Sequence, residues 1–190
     1  MAERRGDPTA RLAGRITLNP IPHIDLMGTI VLPLFLIIMG SRYIVGWPKP
    51  VPVDFHNLRN PKQDMIWIAL AGPASNIILA VLCVLIFRIN IINSTGNIGL
   101  LLCAFILINF LLAFFNLIPI PPLDGSRILM GLLPPQQAYS YSRIEPFGLI
   151  IIFSLFILGF LNSIFVVVVR LSLMLGIPDA TIMELFRLLQ

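Results

Sequence analysis

The chain has 190 residues, of which 57% are hydrophobic and only 12% are charged. This composition excludes both an ordinary soluble domain and a disordered chain, and several apolar stretches reach the roughly 20 residues that a membrane-crossing helix needs. The net charge of +4 is modest and its basic residues are scattered over tails and loops, which argues against a nucleic-acid partner. We therefore predict an all-α, polytopic membrane protein whose loops lie beside the headgroups of the lipid bilayer.

Four membrane spans are predicted in chain order, within a single integral-membrane domain over residues 1–190. Residues 1–25 are polar and rich in turns, and the alternation of polar and apolar residues from Arg15 to Leu18 is typical of a short strand. Pro73 lies inside the second span, where it should kink the helix or leave the repair of its backbone to neighbours. The spans are expected over about residues 26–46, 65–87, 98–118 and 147–169.

The C-terminal segment, residues 170–190, is predicted to end in an amphipathic helix. Thr181 and Glu184 are spaced as in a capping box, in which two side chains satisfy backbone donors at the start of a helix. A helix with one apolar side favours a position in the membrane interface. The residues on that apolar side are Ile182, Leu185, Phe186 and Leu189.

The most informative segment is NLIPIPPLDGSR, residues 116–127, a proline-broken polar turn that follows the third span. Asp124 lies between the prolines and Gly125, so its backbone is non-helical and can approach another element closely. Non-helical backbone inside a membrane is tolerated where protein or water covers it. A carboxylate there requires a cation, and the residues leave two readings open: a loop contact with Arg127, or a metal or proton site.

This segment resembles the third-ligand segment of the site-2 protease family, zinc metalloproteases that cut proteins within membranes. Three other stretches are similar to segments of the family's compact bacterial members and occur in the same order: residues 6–25, residues 46–53 and AGPASN at 71–76. The resemblance implies that Asp124 is a ligand of Zn²⁺. It also implies that Asn116 positions the substrate backbone or an oxyanion, although an asparagine within a membrane also commonly bonds a neighbouring helix.

The family's other motif, HExxH, does not occur in the 190 residues. A zinc hydrolase of this type uses two histidines four residues apart, with a glutamate as the general base. Neither His23 nor His56 has a histidine four residues away. The resemblance therefore implies an N-terminally incomplete chain without its catalytic glutamate, and we expect the upstream reading frame to encode an apolar helix with HExxH.

The two histidines have modest interpretations. His23 lies close to Asp25, just before the first span, where it could position a substrate or orient a metal ligand. The alternative, which we favour, is a loop histidine bonded to nearby backbone. His56 lies in the polar loop 47–64 and is interpreted as a surface residue.

The expected function is zinc-dependent proteolysis of the transmembrane segments of other proteins, by a metalloendopeptidase of the bacterial cell (inner) membrane. The 190 residues alone are expected to be inactive, because the general base is missing from them. Two alternatives remain open. A pseudoprotease would bind membrane helices without cutting them, and a small ion or proton transporter would use Asp124 in its path, although the sequence shows no inverted repeat.

Overall fold

The computed structural model of the chain describes residues 1–17, 19–40, 46–89 and 93–188, and no strand occurs among them. The chain divides into two compact units, Met1–Asp64 and Met65–Gln190, which are described separately. The single domain expected over residues 1–190 stays a prediction.

The N-terminal unit consists of short helical segments joined by turns. They are 3₁₀ turns at Glu3–Arg5, Ile21–His23 and Phe55–Asn57, helix α1 at Thr9–Leu12, and a π-helical segment at Leu26–Val31 that continues into α2 at Leu32–Ile38. The carboxylate of Asp25 begins the π-helical segment by accepting a hydrogen bond of 2.7 Å from the Gly28 amide, as a helix cap does. Beyond α2, Gly40 adopts a φ of 66°, which glycine reaches without strain. The span expected over 26–46 is therefore helical over 26–38, and residues 41–45 lie outside the described part.

The short strand predicted from Arg15 to Leu18 is wrong over its described residues, 15–17, and Leu18 lies outside them. Arg15 is only 9% exposed, and its guanidinium donates to the carbonyl oxygens of Pro22 and Pro50. The polar residue that suggested an outward-facing strand position is thus buried and links two loops.

Buried Asp7 fastens the first residues of the chain to the loop at residues 54–57. Its carboxylate accepts hydrogen bonds from the Thr9 hydroxyl, from the amides of Thr9 at 3.1 Å and Asp54 at 2.9 Å, and from the Asn57 side chain at 3.3 Å. These bonds, led by that of the Thr9 hydroxyl, lower the pKa of Asp7 to about 2 against the opposing effect of burial. The carboxylate is therefore a structural centre of this unit.

The proline-rich loop at residues 46–53 runs along the segment that precedes α2. The Lys49 amide donates to the His23 carbonyl at 2.9 Å, and the Trp47 amide donates to the Gly28 carbonyl at 3.1 Å. The Trp47 indole covers Gly28, where a Cβ atom would come within 2.3 Å of the indole nitrogen. Two of the stretches that resemble the protease family are therefore packed together.

The C-terminal unit is a helical bundle built around one central helix, α4. Helix α3 at Pro61–Arg88 begins at the end of the preceding unit. The other helices are α4 at Asn97–Asn116, α5 at Asp124–Leu132, α6 at Pro135–Ser142, α7 at Gly148–Ile157, α8 at Phe160–Met174 and α9 at Asp179–Leu188. Helix α4 packs against α8 and α9. The core joins apolar residues of α3, α4, α8 and α9, and its fully buried members include Ala80, Cys103, Ile106 and Val168.

Three helical stretches of the described residues are long and apolar enough to cross a membrane: Pro61–Arg88, Asn97–Asn116 and Pro135–Ile157. Leu26–Ile38 and Phe160–Met174 are shorter apolar helices. Large apolar side chains on α3 and α4, such as those of Leu82, Leu101 and Ile108, are exposed, as side chains that face lipid are. The chain is therefore an all-α, polytopic membrane protein, as predicted, and the helices expected over 65–87 and 98–118 are α3 and α4.

The single helix predicted over 147–169 is wrong. Helix α7 ends at Ile157 and α8 begins at Phe160. Between them Gly159 has a φ of 77°, a left-handed conformation that interrupts a right-handed helix. The chain turns there and α8 packs against α7. Hydropathy did not reveal this break because the residues on both sides are equally apolar.

The amphipathic helix at the C-terminus is confirmed as α9, but the predicted capping box is wrong. Helix α9 begins at Asp179, so Thr181 lies inside its first turn. Thr181 is fully buried, and its hydroxyl has no hydrogen-bond partner within the described residues. Ile182 and Leu185 belong to the core beside α4, so the apolar side faces protein rather than the membrane interface. Leu189 lies outside the described part.

Candidate functional site

Within the segment 116–127, residues 117–123 form a non-helical turn between α4 and α5. Helix α4 ends at Asn116 and α5 begins at Asp124. The residues between them include three prolines, which lack the amide hydrogen that a continuing helix requires. The peptide bond between Pro121 and Pro122 is cis. The proline pattern therefore ends α4, as the sequence predicted, whereas the start of α5 at Asp124 was not predicted.

Gly125 allows the start of α5 to return to the end of α4. A Cβ atom at Gly125 would lie 2.2 Å from the carbonyl oxygen of Leu117 and 2.5 Å from that of Ile118, so only glycine fits there. Asn116 directly precedes Leu117, and Asp124 directly precedes Gly125. The structure thus brings these two predicted site residues to the same turn.

Gly148 and Tyr141, which were not predicted from the sequence, also contact this turn. A Cβ atom at Gly148, the first residue of α7, would lie 1.9 Å from the carbonyl oxygen of Pro121. The Tyr141 hydroxyl donates a hydrogen bond of 2.6 Å to the carbonyl oxygen of Pro119. The sequence contained only one indication of these contacts, which is the glycine at the start of the apolar run of α7. The partners of both residues are set by tertiary packing.

Asp124 presents a carboxylate at the N-terminus of a helix. It is the first residue of α5, so the non-helical backbone predicted at this residue is wrong. The helix dipole favours a negative charge at this position. Burial raises the pKa of Asp124, while the positive charge of Arg127 opposes that rise. The carboxylate accepts no hydrogen bond from the residues that the structure describes, and the side chain is half-buried. It is therefore accessible to a cation.

Arg127, the partner considered from the sequence, is shared between two carboxylates. Its Nη2 lies 3.4 Å from Oε1 of Glu145, and its charge also acts on Asp124. Ion pairs between such partly exposed side chains contribute little to stability. Arg127 is therefore not dedicated to Asp124.

Helix α3 brings Gly72 directly to the Asp124 carboxylate. A Cβ atom at Gly72 would lie 2.8 Å from Oδ2 of Asp124. Gly72 belongs to AGPASN, so two segments that carry the family resemblance meet here. The kink expected at Pro73 does not divide α3, which runs as one helix, and the Ser75 hydroxyl donates to the Gly72 carbonyl at 2.7 Å. The contact of AGPASN with Asp124 was not predicted from the sequence.

Asn116 is half-buried at the end of α4. Its carboxamide makes no hydrogen bond to any residue of the described ranges, so the bond to a neighbouring helix considered from the sequence is not found there. The carboxamide lies at the same turn as Asp124 and is available to a ligand. Its role in positioning a substrate stays a prediction.

His23 lies in the N-terminal unit, in the turn Ile21–His23. Its Nε2 is 3.2 Å from the Thr17 carbonyl oxygen, which agrees with the favoured interpretation of a loop histidine bonded to backbone. The ring also borders an open cavity of about 400 Å³ that Trp47 lines. A role for His23 in positioning a substrate stays a prediction. His56 is exposed, as predicted.

The residues of this turn fit one ligand of a zinc ion but not a complete site. Zinc in proteases is held by three protein ligands. No group of three histidine, cysteine, aspartate or glutamate residues suited to a metal occurs in the described part of the chain. The Asp124 carboxylate has the chemistry of a single zinc ligand.

Comparison with known proteins shows the family of this chain. The profile of peptidase family M50 matches residues 90–161, which include Asn116 and Asp124. The "Putative zinc metalloprotease YwhC" of Bacillus subtilis is 36% identical over 166 residues, which cover 83% of this chain and 71% of that protein. The chain belongs to peptidase family M50, the site-2 proteases.

Other relatives of this M50 protein carry similar names. The "Putative zinc metalloprotease Rip2" of Mycolicibacterium smegmatis is 30% identical over 166 residues, covering 86% of the M50 chain and 62% of Rip2. The "Zinc metalloprotease MJ0392" of Methanocaldococcus jannaschii is 35% identical over 79 residues, covering 42% of the chain and 23% of that protein. The chain thus spans less than two thirds of Rip2. No solved structure gives a significant match.

Proposed function

We propose that this M50 protein is the aspartate-bearing part of a zinc-dependent intramembrane metalloprotease. Asp124 supplies one zinc ligand, and an HExxH helix outside the 190 residues supplies two histidines and the general base. The substrates are transmembrane segments of other proteins. The protein works in the bacterial cell (inner) membrane, because it has helices that can cross a membrane and bacterial relatives such as YwhC and Rip2.

One observation carries the proposal: Asp124 has an accessible carboxylate that the described residues leave without a hydrogen bond. A half-buried carboxylate is costly unless it is paired. Here it lies at a helix N-terminus, on a turn that is held by Gly125, Gly148 and Tyr141. Such support is what an acidic metal ligand requires, because its oxygen must keep a fixed position.

Asn116 would hold the substrate beside that ligand. A peptide bond must be exposed from a helix before a protease can cut it, and an exposed backbone offers unpaired amide and carbonyl groups. The Asn116 carboxamide has two donors and an acceptor for such groups, and no described residue occupies them. Asn116 therefore binds and orients the substrate in this proposal.

Zinc content tests the proposal. The 190-residue chain and the same chain extended N-terminally by an HExxH helix would be purified in detergent, and zinc would be measured by mass spectrometry. We expect about one zinc per extended chain and almost none in the short chain. Asp124→Ala should remove most zinc from the extended chain. Asp179→Ala is the matched control, because Asp179 is the exposed first residue of α9 just as Asp124 is the first residue of α5.

Cleavage is measured on the same proteins in lipid vesicles, with a fluorescent peptide that contains one transmembrane helix. The extended chain should cut it, and the short chain and the Asp124→Ala variant should not. Full zinc in the extended Asp124→Ala variant would contradict the ligand role. Stoichiometric zinc in the short chain, lost on Asp124→Ala, would show instead that the 190 residues hold a complete site.

A further inference from the structure

We infer that Gly72 sets the position of the Asp124 carboxylate, because the backbone of α3 fills the space beside it. The contact between Gly72 and Asp124 is a feature of the structure. Its effect on zinc binding rests on the proposed function. Gly72 is then a positioning residue for the site, whereas Asp124 is the residue that binds the metal.

The reason for glycine at this position is space and not backbone conformation. Gly72 lies inside α3 and does not have a positive φ, so alanine could adopt the same backbone. Glycine is a poor residue for a helix interior. Yet an added Cβ atom would lie 2.8 Å from Oδ2 and 3.8 Å from Cγ of Asp124. The first distance is shorter than a van der Waals contact allows.

The effect of replacing a glycine by alanine depends on which atom the added Cβ would meet. At Gly125 and Gly148 the nearest atoms are backbone carbonyl oxygens, at 2.2 Å and 1.9 Å, so an alanine there would force the turn itself to move. At Gly72 the nearest atom is the end of the Asp124 side chain. That carboxylate can rotate away at χ1 or χ2. An alanine at 72 should therefore displace the carboxylate and leave the fold in place.

Displacement of this kind matters for a metal site more than for stability. Zinc–oxygen distances are held within about 0.2 Å of their preferred values. Changes to residues that orient a ligand typically weaken metal binding by about 10-fold to 100-fold. Gly72 also lies on the exposed side of α3, so its substitution removes no packing from the core.

The first experiment measures zinc affinity in the chain extended by an HExxH helix. Gly72→Ala should weaken zinc binding by about 10-fold or more. Ala74→Ser is the matched control, because it adds one atom to an exposed residue two positions along the same helix and should change the affinity less than about twofold. The thermal midpoint of both metal-free variants should stay within about 3 °C of the parent protein.

The second experiment tests the contact without zinc, in the 190-residue chain. Cysteines at positions 72 and 124 should form a cross-link on oxidation, because an added Cβ at position 72 would lie 3.8 Å from the Cγ atom of Asp124, close to where a cysteine sulfur at 124 would lie. The linked peptide is identified by mass spectrometry, with the single Gly72→Cys and Asp124→Cys variants as controls. The pair of cysteines at positions 74 and 124 should not cross-link.

The outcomes separate the two proposals. If Asp124→Ala removes zinc but Gly72→Ala leaves the affinity unchanged, the positioning role is wrong and the proposed function stands. If Asp124→Ala keeps its zinc, the proposed function fails, and the cross-link alone decides whether Gly72 contacts the carboxylate. No cross-link between positions 72 and 124 contradicts the inference. A large fall in the thermal midpoint of Gly72→Ala also contradicts it, because the fold would then have yielded instead of the carboxylate.

Discussion

Tyr141 and Pro119 are joined by a hydrogen bond of 2.6 Å, from the phenolic hydroxyl to the backbone carbonyl oxygen. Pro119 lies in the turn that carries Asn116 and Asp124 at its two ends, so the bond fastens this turn to α6. Replacing Tyr141 by phenylalanine removes the donor and keeps the ring. We expect the free energy of unfolding to fall by about 1 kcal/mol, measured by thermal unfolding in detergent.

Tyr139→Phe is the control for this prediction. Tyr139 belongs to the same helix, is 65% exposed, and has its ring beside Arg143 rather than against the turn. Its loss of a hydroxyl should change the free energy of unfolding by less than about 0.5 kcal/mol. Equal effects of the two substitutions would show that the Tyr141 bond does not stabilise the turn.

Gly125 should tolerate no side chain. Gly125→Ala places a Cβ atom 2.2 Å from the Leu117 carbonyl oxygen, so α5 must move away from α4. Overpacking of this kind costs about 1–3 kcal/mol in the free energy of unfolding. In Gly96→Ala the nearest atom would be 3.4 Å away, and this control should lose far less. A Gly125→Ala variant as stable as the Gly96→Ala variant would contradict the close return of α5.

The buried hydroxyl of Thr181 should destabilise α9. It has no hydrogen-bond partner among the described residues, and a buried polar group without a partner costs about 1–3 kcal/mol. Thr181→Val keeps the shape and removes that group, so the free energy of unfolding should rise by about 1 kcal/mol. Ser172→Ala is the control, since the Ser172 hydroxyl is buried but bonded to the Val168 carbonyl at 2.9 Å. A destabilised Thr181→Val variant would show that the hydroxyl has a partner.

Acid should weaken the N-terminal unit through Asp7. The pKa of Asp7 is lowered to about 2, whereas an aspartate in an unfolded chain titrates near 3.9. The unfolded chain therefore binds the proton more readily. The stabilisation is present above the unfolded pKa and is lost as the pH falls through about 2.

Thermal midpoints measured from pH 6 to pH 2 test this dependence. Asp7→Asn should be less stable than the parent at pH 6, and the difference should shrink toward pH 2 because the parent loses its charge there. Glu3→Gln is the control, because Glu3 pairs with an exposed Arg11 on the surface and should leave the acid dependence largely unchanged. A difference between Asp7→Asn and the parent that does not depend on pH would contradict the prediction.

The sequence predicted the turn between Asn116 and Asp124, because local backbone chemistry determines where a helix ends. The prolines of residues 116–127 and the glycine after Asp124 are enough to end one helix and form a turn. Apolar runs likewise located α3 and α4, because a membrane helix needs a fixed length of apolar residues. These features depend on neighbours in the chain.

Features that depend on distant residues could not be read in the same way. The contact between Gly72 and Asp124 joins two helices that are far apart in sequence. The break at Gly159 depends on one glycine's backbone conformation within a uniformly apolar run. The apolar side of α9 looked suited to a membrane surface, and only the tertiary structure shows that it packs in the core with α4. A distant partner decides the first and third cases, whereas at Gly159 a single backbone conformation decides where the helix ends.

The central claim, that Asp124 binds zinc, is tested most directly by X-ray absorption at the zinc edge. Asp124→Cys in the extended chain replaces an oxygen ligand by sulfur. We expect a scatterer at about 2.3 Å in this variant, where the parent shows ligands at about 2.0–2.2 Å. Asp179→Cys should give the parent spectrum. A spectrum of the Asp124→Cys variant with zinc bound and no sulfur ligand would contradict the claim.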